Sequence, residues 1–455
     1  MKKIILIALI LRLAVTSALL IAGGPRMAMG PDSASYLESA RSLLESGQFN
    51  REGHPEVIRT PGYPLFLLPG LAAGHVVEIT TGLQILLDGA TVGIIFTLVR
   101  SLGGSRTAAA AAGLLFALDP VAFVWPVKIL TETLFTFLTA LFLLLAVLGW
   151  TRKRPALSAA SFAVLAAACF VRPIGVAFVA ALFGALLLFT LLGVMDRRRG
   201  ALLCGLLVLC TGLPIGLWSL RNERVAGYHG FSGISAINTY FYNAASVQAT
   251  LEGVPFEHTY PWEKTILWEG QPTTPAQLPV WKGPVLNEFR RRGLAILREH
   301  LSLYSRIHLA GSLRTAFEGF KFDRLGSVGV LGVFIGQKPD ETPSGAALQG
   351  RGFLARGVAI ARHRSVIVAC TLFSAALLAL GYLLAFTAVL SGVPRETLRI
   401  PVLLLAGTVL TFILVSGGPV GGPRFRLPAL PALYALAGLG LSFLQERFGA
   451  PKSTV

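Results

Sequence analysis

The sequence predicts an all-α polytopic membrane protein of about ten transmembrane helices, with surface helices in its first outer loop and a small mixed extracytoplasmic domain. Three observations predict it. Of 455 residues, 54% are hydrophobic and only 14% charged, a balance outside that of soluble globular chains. Apolar runs of about twenty residues recur along the chain. The 40 Lys and Arg against 23 Asp and Glu, a formal +17, sit in short clusters between those runs, which excludes a nucleic-acid partner needing one basic soluble face.

The first span, Ile4–Ala22, exceeds the apolar core of a signal peptide and carries Arg12, so it reads as a retained helix. The others run Thr80–Val99, Thr107–Val124, Leu130–Trp150, Ala156–Arg172, Ile174–Met195, Leu202–Leu220, Ser365–Leu390, Pro401–Val415 and Leu427–Leu444, the fifth and ninth being short. With both termini inside, Arg152-Lys153-Arg154, Arg197-Arg198-Arg199, Arg395 with Arg399, and Arg447 with Lys452 all fall on the cytoplasmic side. The chain then divides into a transmembrane module over 1–227 with its first outer loop at 23–79, an extracytoplasmic domain over 228–363, and C-terminal transmembrane helices over 364–455. In the first loop Ser33–Ser46 reads as a helix stopped by Gly47, with Leu37, Ala40 and Leu44 on one face. The second outer region reads as half irregular before a helical stretch Pro284–Ala316. Cys169, Cys204, Cys210 and Cys370 lie in or beside apolar runs and read as buried thiols.

No phosphate loop, zinc-protease pair or serine elbow is present. What remains is a set of acids and arginines at the outer ends of the spans. Asp32 immediately precedes a helix, where it serves either as an N-cap or as a general base held at headgroup level. Arg59-Thr60-Pro61-Gly62-Tyr63-Pro64 predicts a type II turn that holds Arg59 on a stiff hook, although a loop Arg can equally be solvated. Glu132 is either a first-turn acid behind a Thr131 cap or a member of the site, with Lys128 just before it. Arg172, Arg424 and Arg426 run against the charge bias of the loops, and the last two, beside a glycine-rich loop, suit a phosphate. Arg12 and Asp88, both inside spans, are expected to pair. Trp262, Trp268, Trp281, Tyr240, Tyr242 and Tyr260 are interfacial anchors, core, or a platform for a sugar ring.

The order Asp32-x3-Tyr36-x3-Ala40-x6-Gly47, then Arg59-Thr60-Pro61-Gly62-Tyr63-Pro64, then Thr131-Glu132-Thr133-Leu134-Phe135, then Val171-Arg172-Pro173, Leu220-Arg221-Asn222 and Arg424-Phe425-Arg426-Leu427-Pro428 resembles the GT-C superfamily of membrane glycosyltransferases. The branch it is most similar to is the protein-mannosyltransferase and aminoarabinose-transferase-like bacterial proteins. The resemblance implies transfer of a sugar from a polyprenyl-phosphate donor to a lipid, glycan or protein acceptor on the outer face of a bacterial-type plasma membrane, with inversion. It implies Asp32 as the catalytic base, Glu132 as the acid of the second outer loop, and Arg59, Arg172 and Arg426 on the donor phosphate or headgroup; Arg424 joins these on its charge and position, and Tyr36, Tyr63 and Lys128 are read as substrate-loop residues. Relatives often carry two adjacent acids where this chain has Asp32-Ser33, so the resemblance names no metal ligand and leaves a divalent cation open. The competing class is a lipid-carrier flippase or transporter, which would gather polar residues at mid-membrane and show inverted repeats.

Overall fold

The computed structural model describes residues 1–256, 266–319, 353–393 and 395–448, which form a helix bundle with two small hairpins. The N-terminal half runs α1 (Lys2–Gly23), α2 (Ser33–Ser46), the hairpin β1 (Asn50–Arg51) and β2 (His54–Pro55), α3 (Gly62–Ala72), α4 (Val76–Ser101), α5 (Arg106–Leu118), α6 (Pro120–Val124), α7 (Glu132–Thr151), α8 (Pro155–Val171) and α9 (Gly175–Leu191). Then come α10 (Arg197–Leu207) and α11 (Leu213–Ala226), joined through a π-helical turn, α12 (Ile234–Ile237), α13 (Ala245–Glu252), and the hairpin β3 (Ile266–Trp268) and β4 (Gln271–Thr273). α14 (Gly283–Glu299), α15 (Leu301–Phe317), α16 (Phe353–Gly392), α17 (Glu396–Val415) and α18 (Leu430–Phe448) complete it.

Among the described residues seven helical segments are long and apolar enough to cross a membrane, and the pair α5–α6, bent by 55°, makes an eighth. The two remaining expected spans, α8 and α9, have 17 residues each, about 25 Å of helix against a hydrocarbon layer of about 30 Å. The sequence placed the short spans fifth and ninth, whereas the ninth, α17, is a full 20 residues because the helix starts at Glu396, before Pro401. The third span is not continuous. Asp119 takes an extended backbone and its carboxylate accepts from Val121 N at 2.8 Å, while Pro120 starts the next helix at a position that needs no donor.

α18 fills the centre, buried almost throughout from Leu430 to Phe443. Small residues let its neighbours in: at Gly438 a Cβ would come within 2.8 Å of Val99 and 2.9 Å of Ala112, the close approach by which membrane helices gain packing where water offers no driving force. Arg12 and Asp88 do pair, and Arg12 Nη1 also donates to Ala117 O at 2.6 Å, so one buried guanidinium ties α1, α4 and α5.

Other local expectations are corrected. Pro61 and Gly62 do not form a type II turn: Pro61 is in the right-handed helical region (φ −75°, ψ −11°) and opens α3, since prolines in a first turn cost no hydrogen bond. The stretch after Tyr228 is more helical than expected, running from Ile234 to Glu252 with a π-helical segment inside. The helical stretch over Pro284–Ala316 is two helices broken at His300. Cys169 is buried, but Cys204 and Cys210 are half-exposed on α10 and the turn after it. The side chain of Cys370, and Tyr260 and Trp262, lie outside the described residues.

Candidate active site

The site is assembled at the end of the bundle opposite the Arg152–Arg154 turn, because Glu132 begins α7 and that turn ends it. The first loop brings two of its members together. Buried Glu56, just past the β1–β2 hairpin, accepts from Ile58 N at 2.6 Å and Arg59 N at 2.9 Å and pairs with Arg51 at 3.3 Å, which fixes the backbone that carries Arg59. Arg221, on α11, clips the same strand by donating to Glu56 O at 2.6 Å. Held in this way, Arg59 donates Nη2 to Asp32 Oδ1 at 2.7 Å, Nε to Ser35 Oγ at 3.1 Å and Nη1 to Tyr36 Oη at 3.3 Å, and lies 4.8 Å over the Tyr36 ring. Burial pushes the Tyr36 phenol up against the pull of Arg59, so it stays a neutral hydroxyl.

Neither capping expectation holds. Asp32 has a helical backbone and its side chain caps nothing, facing Arg59 instead. Thr131 likewise makes no capping bond, and Glu132 is only 1% exposed. Its Oε1 receives Arg424 Nε and lies 2.9 Å from Arg172 Nη1. Its Oε2 is buried and has no hydrogen-bond partner among the described residues. Arg424 is the bridge: its other nitrogen, Nη2, stands 3.9 Å from Asp32 Oδ2, and its guanidinium lies 5.0 Å over the Trp125 ring. Arg172 leaves the end of α8 extended and faces the Phe425 ring at 5.6 Å.

The structure thus brings Asp32, Tyr36, Arg59, Glu132, Arg172 and Arg424 to one place, two carboxylates against three guanidinium groups. It does not bring Arg426 there. Arg426 is 1% exposed and donates Nη1 to the carbonyls of Thr315 (2.6 Å), Ala316 (3.3 Å) and Glu318 (3.2 Å). Lys128 and Tyr63 lie at its edge. Lys128 Nζ donates to Met27 O at 2.6 Å, sewing the loop after α1 to that before α7, and burial pulls its ammonium down. Tyr63 packs edge-on to Tyr36 at 5.2 Å and donates to Gln84 Oε1 at 3.0 Å. Tyr242 comes near from the other side, its phenol pushed up by burial and by the Asp32 charge. Tyr240 and Trp268 are packed with Phe289, and Trp281 stacks on His54 at 4.8 Å.

Sequence reading missed Glu56 and Arg314. Glu56 looked like one more loop acid among Arg51, Glu52 and His54. Its signal was the spacing to Ile58 and Arg59, at which one carboxylate can take two backbone N–H groups. A divalent cation fits these residues poorly. Both carboxylates that would ligate it already face guanidinium groups, and among the described residues no three His, Cys, Asp or Glu gather.

Residues 74–218 match the family model described as dolichyl-phosphate-mannose-protein mannosyltransferase. No curated protein matches the chain. Among solved structures, the Archaeoglobus fulgidus oligosaccharyltransferase in its apo form aligns with a TM-score of 0.52 and 12% identity over 98% of this chain and 51% of that one. The archaeal oligosaccharyltransferase AglB from the same organism, in complex with an inhibitory peptide and a dolichol-phosphate, gives 0.50 and 11% over 99% and 52%. ArnT from Cupriavidus metallidurans bound to undecaprenyl phosphate gives 0.42 and 16% over 98% and 77%. The chain spans about half the length of the oligosaccharyltransferases it aligns with. Its multi-span helical bundle has the fold of these oligosaccharyltransferases, and the stretch 74–218 is similar in sequence to the dolichyl-phosphate-mannose-protein mannosyltransferase family.

Proposed function

We propose that the chain is an inverting glycosyltransferase that moves a sugar from a polyprenyl-phosphate donor to a lipid, glycan or protein acceptor on the extracytoplasmic side of the membrane. The observation that carries this reading is the charge of the site. Three arginines converge on two carboxylates, so one positive charge is left over where the first loop, α7, α8 and the turn before α18 meet. An anion at a membrane surface answers that excess, and guanidinium forks suit phosphate. The family match at 74–218 and the dolichol-phosphate in the AglB complex support a lipid-linked donor.

The two acids divide the work by exposure. Asp32 has a 39% exposed side chain and can meet an acceptor, while Glu132 at 1% cannot. In the reaction the acceptor oxygen bonds to the anomeric carbon, the carbon–oxygen bond to phosphate breaks, and the acceptor's proton passes to Asp32. The electron pair leaves with the polyprenyl phosphate, whose added negative charge Arg59, Arg172 and Arg424 neutralise. Phosphate entering the cluster competes with Asp32 for Arg59 and Arg424, which frees the carboxylate as a base. Purified full-length protein incubated with radiolabelled lipid-linked sugars and a lipid or peptide acceptor extract should form labelled product. If no labelled product forms with any donor while polyprenyl phosphate still binds, the transferase reading is wrong.

A further inference from the structure

Arg424 directly follows a loop that has no reason of its own to hold still. Ser416-Gly417-Gly418-Pro419-Val420-Gly421-Gly422-Pro423 contains four glycines, and Gly418 takes φ +96°, a conformation other residues rarely adopt. Such a segment loses much chain entropy when ordered, so its own sequence does not place Arg424 beside two carboxylates. The contacts that order it come from α15. Arg314 donates Nη2 to Gly418 O and Pro419 O, each at 3.1 Å, and Nε to Gly421 O at 3.3 Å. Nearly two turns earlier, His308 Nε2 lies 2.7 Å from Leu414 O and His308 O accepts from Gly418 N at 3.2 Å.

The clasp is reciprocal. The last carbonyls of α15 have no partner within the helix, and Arg426 and Tyr382 supply one: Arg426 Nη1 reaches Thr315, Ala316 and Glu318, and Tyr382 Oη donates to Ala316 O at 3.0 Å. Arg314 thus fixes the chain before Arg424, and the anchored Arg426 fixes it two residues after. Arg314 through Nε and Nη2, and Arg426 through Nη1, both bond backbone carbonyls and so hold an otherwise free turn in one place.

We propose that Arg314 is a positioning residue for Arg424, acting on the donor phosphate only through the glycine loop. The proposal deepens the donor-binding reading and rests on it for its functional half. Arg314 is exposed while Arg426 is buried, so removing Arg314 is expected to leave the bundle folded.

The test uses full-length protein in detergent, with Arg314→Ala, Arg314→Lys, Arg424→Ala and the Arg314→Ala/Arg424→Ala double variant. Arg314→Ala should weaken binding of polyprenyl phosphate about tenfold at an unchanged thermal transition, the size of one or two lost hydrogen bonds. Arg314→Lys should recover part of that, since a single ammonium cannot span three carbonyls. The double variant should bind no worse than Arg424→Ala alone, because the two act in series. Hydrogen exchange supplies the arm that does not depend on function: amides of residues 417–425 should exchange faster in Arg314→Ala, with α17 and α18 unchanged. Additive losses in the double variant, or unaltered exchange in the loop, would overturn the proposal. Faster loop exchange in a protein whose wild type binds no polyprenyl phosphate would leave the positioning intact and defeat the donor reading instead.

Discussion

Asp32 and Glu132 are the same functional group in two environments, and their variants should separate cleanly. Asp32→Asn removes a half-exposed partner of Arg59 and no helix cap, so folded yield should stay near wild type. Turnover should fall by roughly two to four orders of magnitude, the usual contribution of a general base, with donor affinity kept. Near wild-type transfer by Asp32→Asn would take Asp32 out of the chemistry. Glu132→Gln should behave oppositely. It leaves Arg172 and Arg424 facing each other without their shared carboxylate, and breaking a buried pair on one side costs about 3 kcal/mol. A thermal scan should show that loss before any assay does. In the sequence Arg172 and Arg424 stood out against the charge bias of the loops, Arg59 by the prolines beside it, and the two acids by their place at helix starts on the outer face. It could not separate Arg424 from Arg426. They are one residue apart, and only the 3-10 turn Pro423–Ala429 sends one to Glu132 and the other to the end of α15.

At the scale of elements, apolar length predicted the helices and local chemistry decided their breaks. The α5–α6 break was hidden because Pro120 lies inside an otherwise apolar run. Only the structure shows that the Asp119 carboxylate caps α6 at Val121 N and ties the break to α18 by accepting from Tyr434 Oη at 2.5 Å. Tyr434→Phe should therefore lower stability by about 1–3 kcal/mol through an unsatisfied buried carboxylate oxygen. Adding Asp119→Ala should cost less than the separate losses combined, since the two remove one interaction. Outside the membrane, α14 offers a pH test. Hydrogen bonds from Arg291 and then Arg292 hold the Glu288 carboxyl down at about 2, against the opposing effect of burial. A depressed carboxyl stabilises above its unfolded value of 4.5 and loses that contribution as pH falls toward 2. On so exposed a helix the effect is a few tenths of a kcal/mol. Glu288→Gln should flatten that part of the stability profile and leave neutral pH almost unchanged.

Over the whole molecule, the site is a product of topology. Glu132 and Arg424 are 292 positions apart, and no local pattern announces that the turn before the last helix closes on the start of the seventh. The bundle also fixes what the site can hold, and this carries a last prediction. A divalent cation between Asp32 and Glu132 would enter a cluster that already carries one surplus positive charge, and it would have to displace Arg424, which lies between the two carboxylates. Repulsion between a guanidinium and a divalent ion at such range amounts to several kcal/mol even at an effective dielectric near 20. On the proposed reading, the charge that a metal would supply to a leaving phosphate would come from arginine, which needs no cofactor and no deprotonated ligand set. Transfer measured in excess EDTA should equal that measured with Mg²⁺ or Mn²⁺, and neither ion should restore Arg424→Ala. Activity that vanishes in EDTA and returns on adding either ion would show that the carboxylates exchange their arginines for a metal during turnover, and the reading of Arg424 as the electrostatic centre of the site would have to be abandoned.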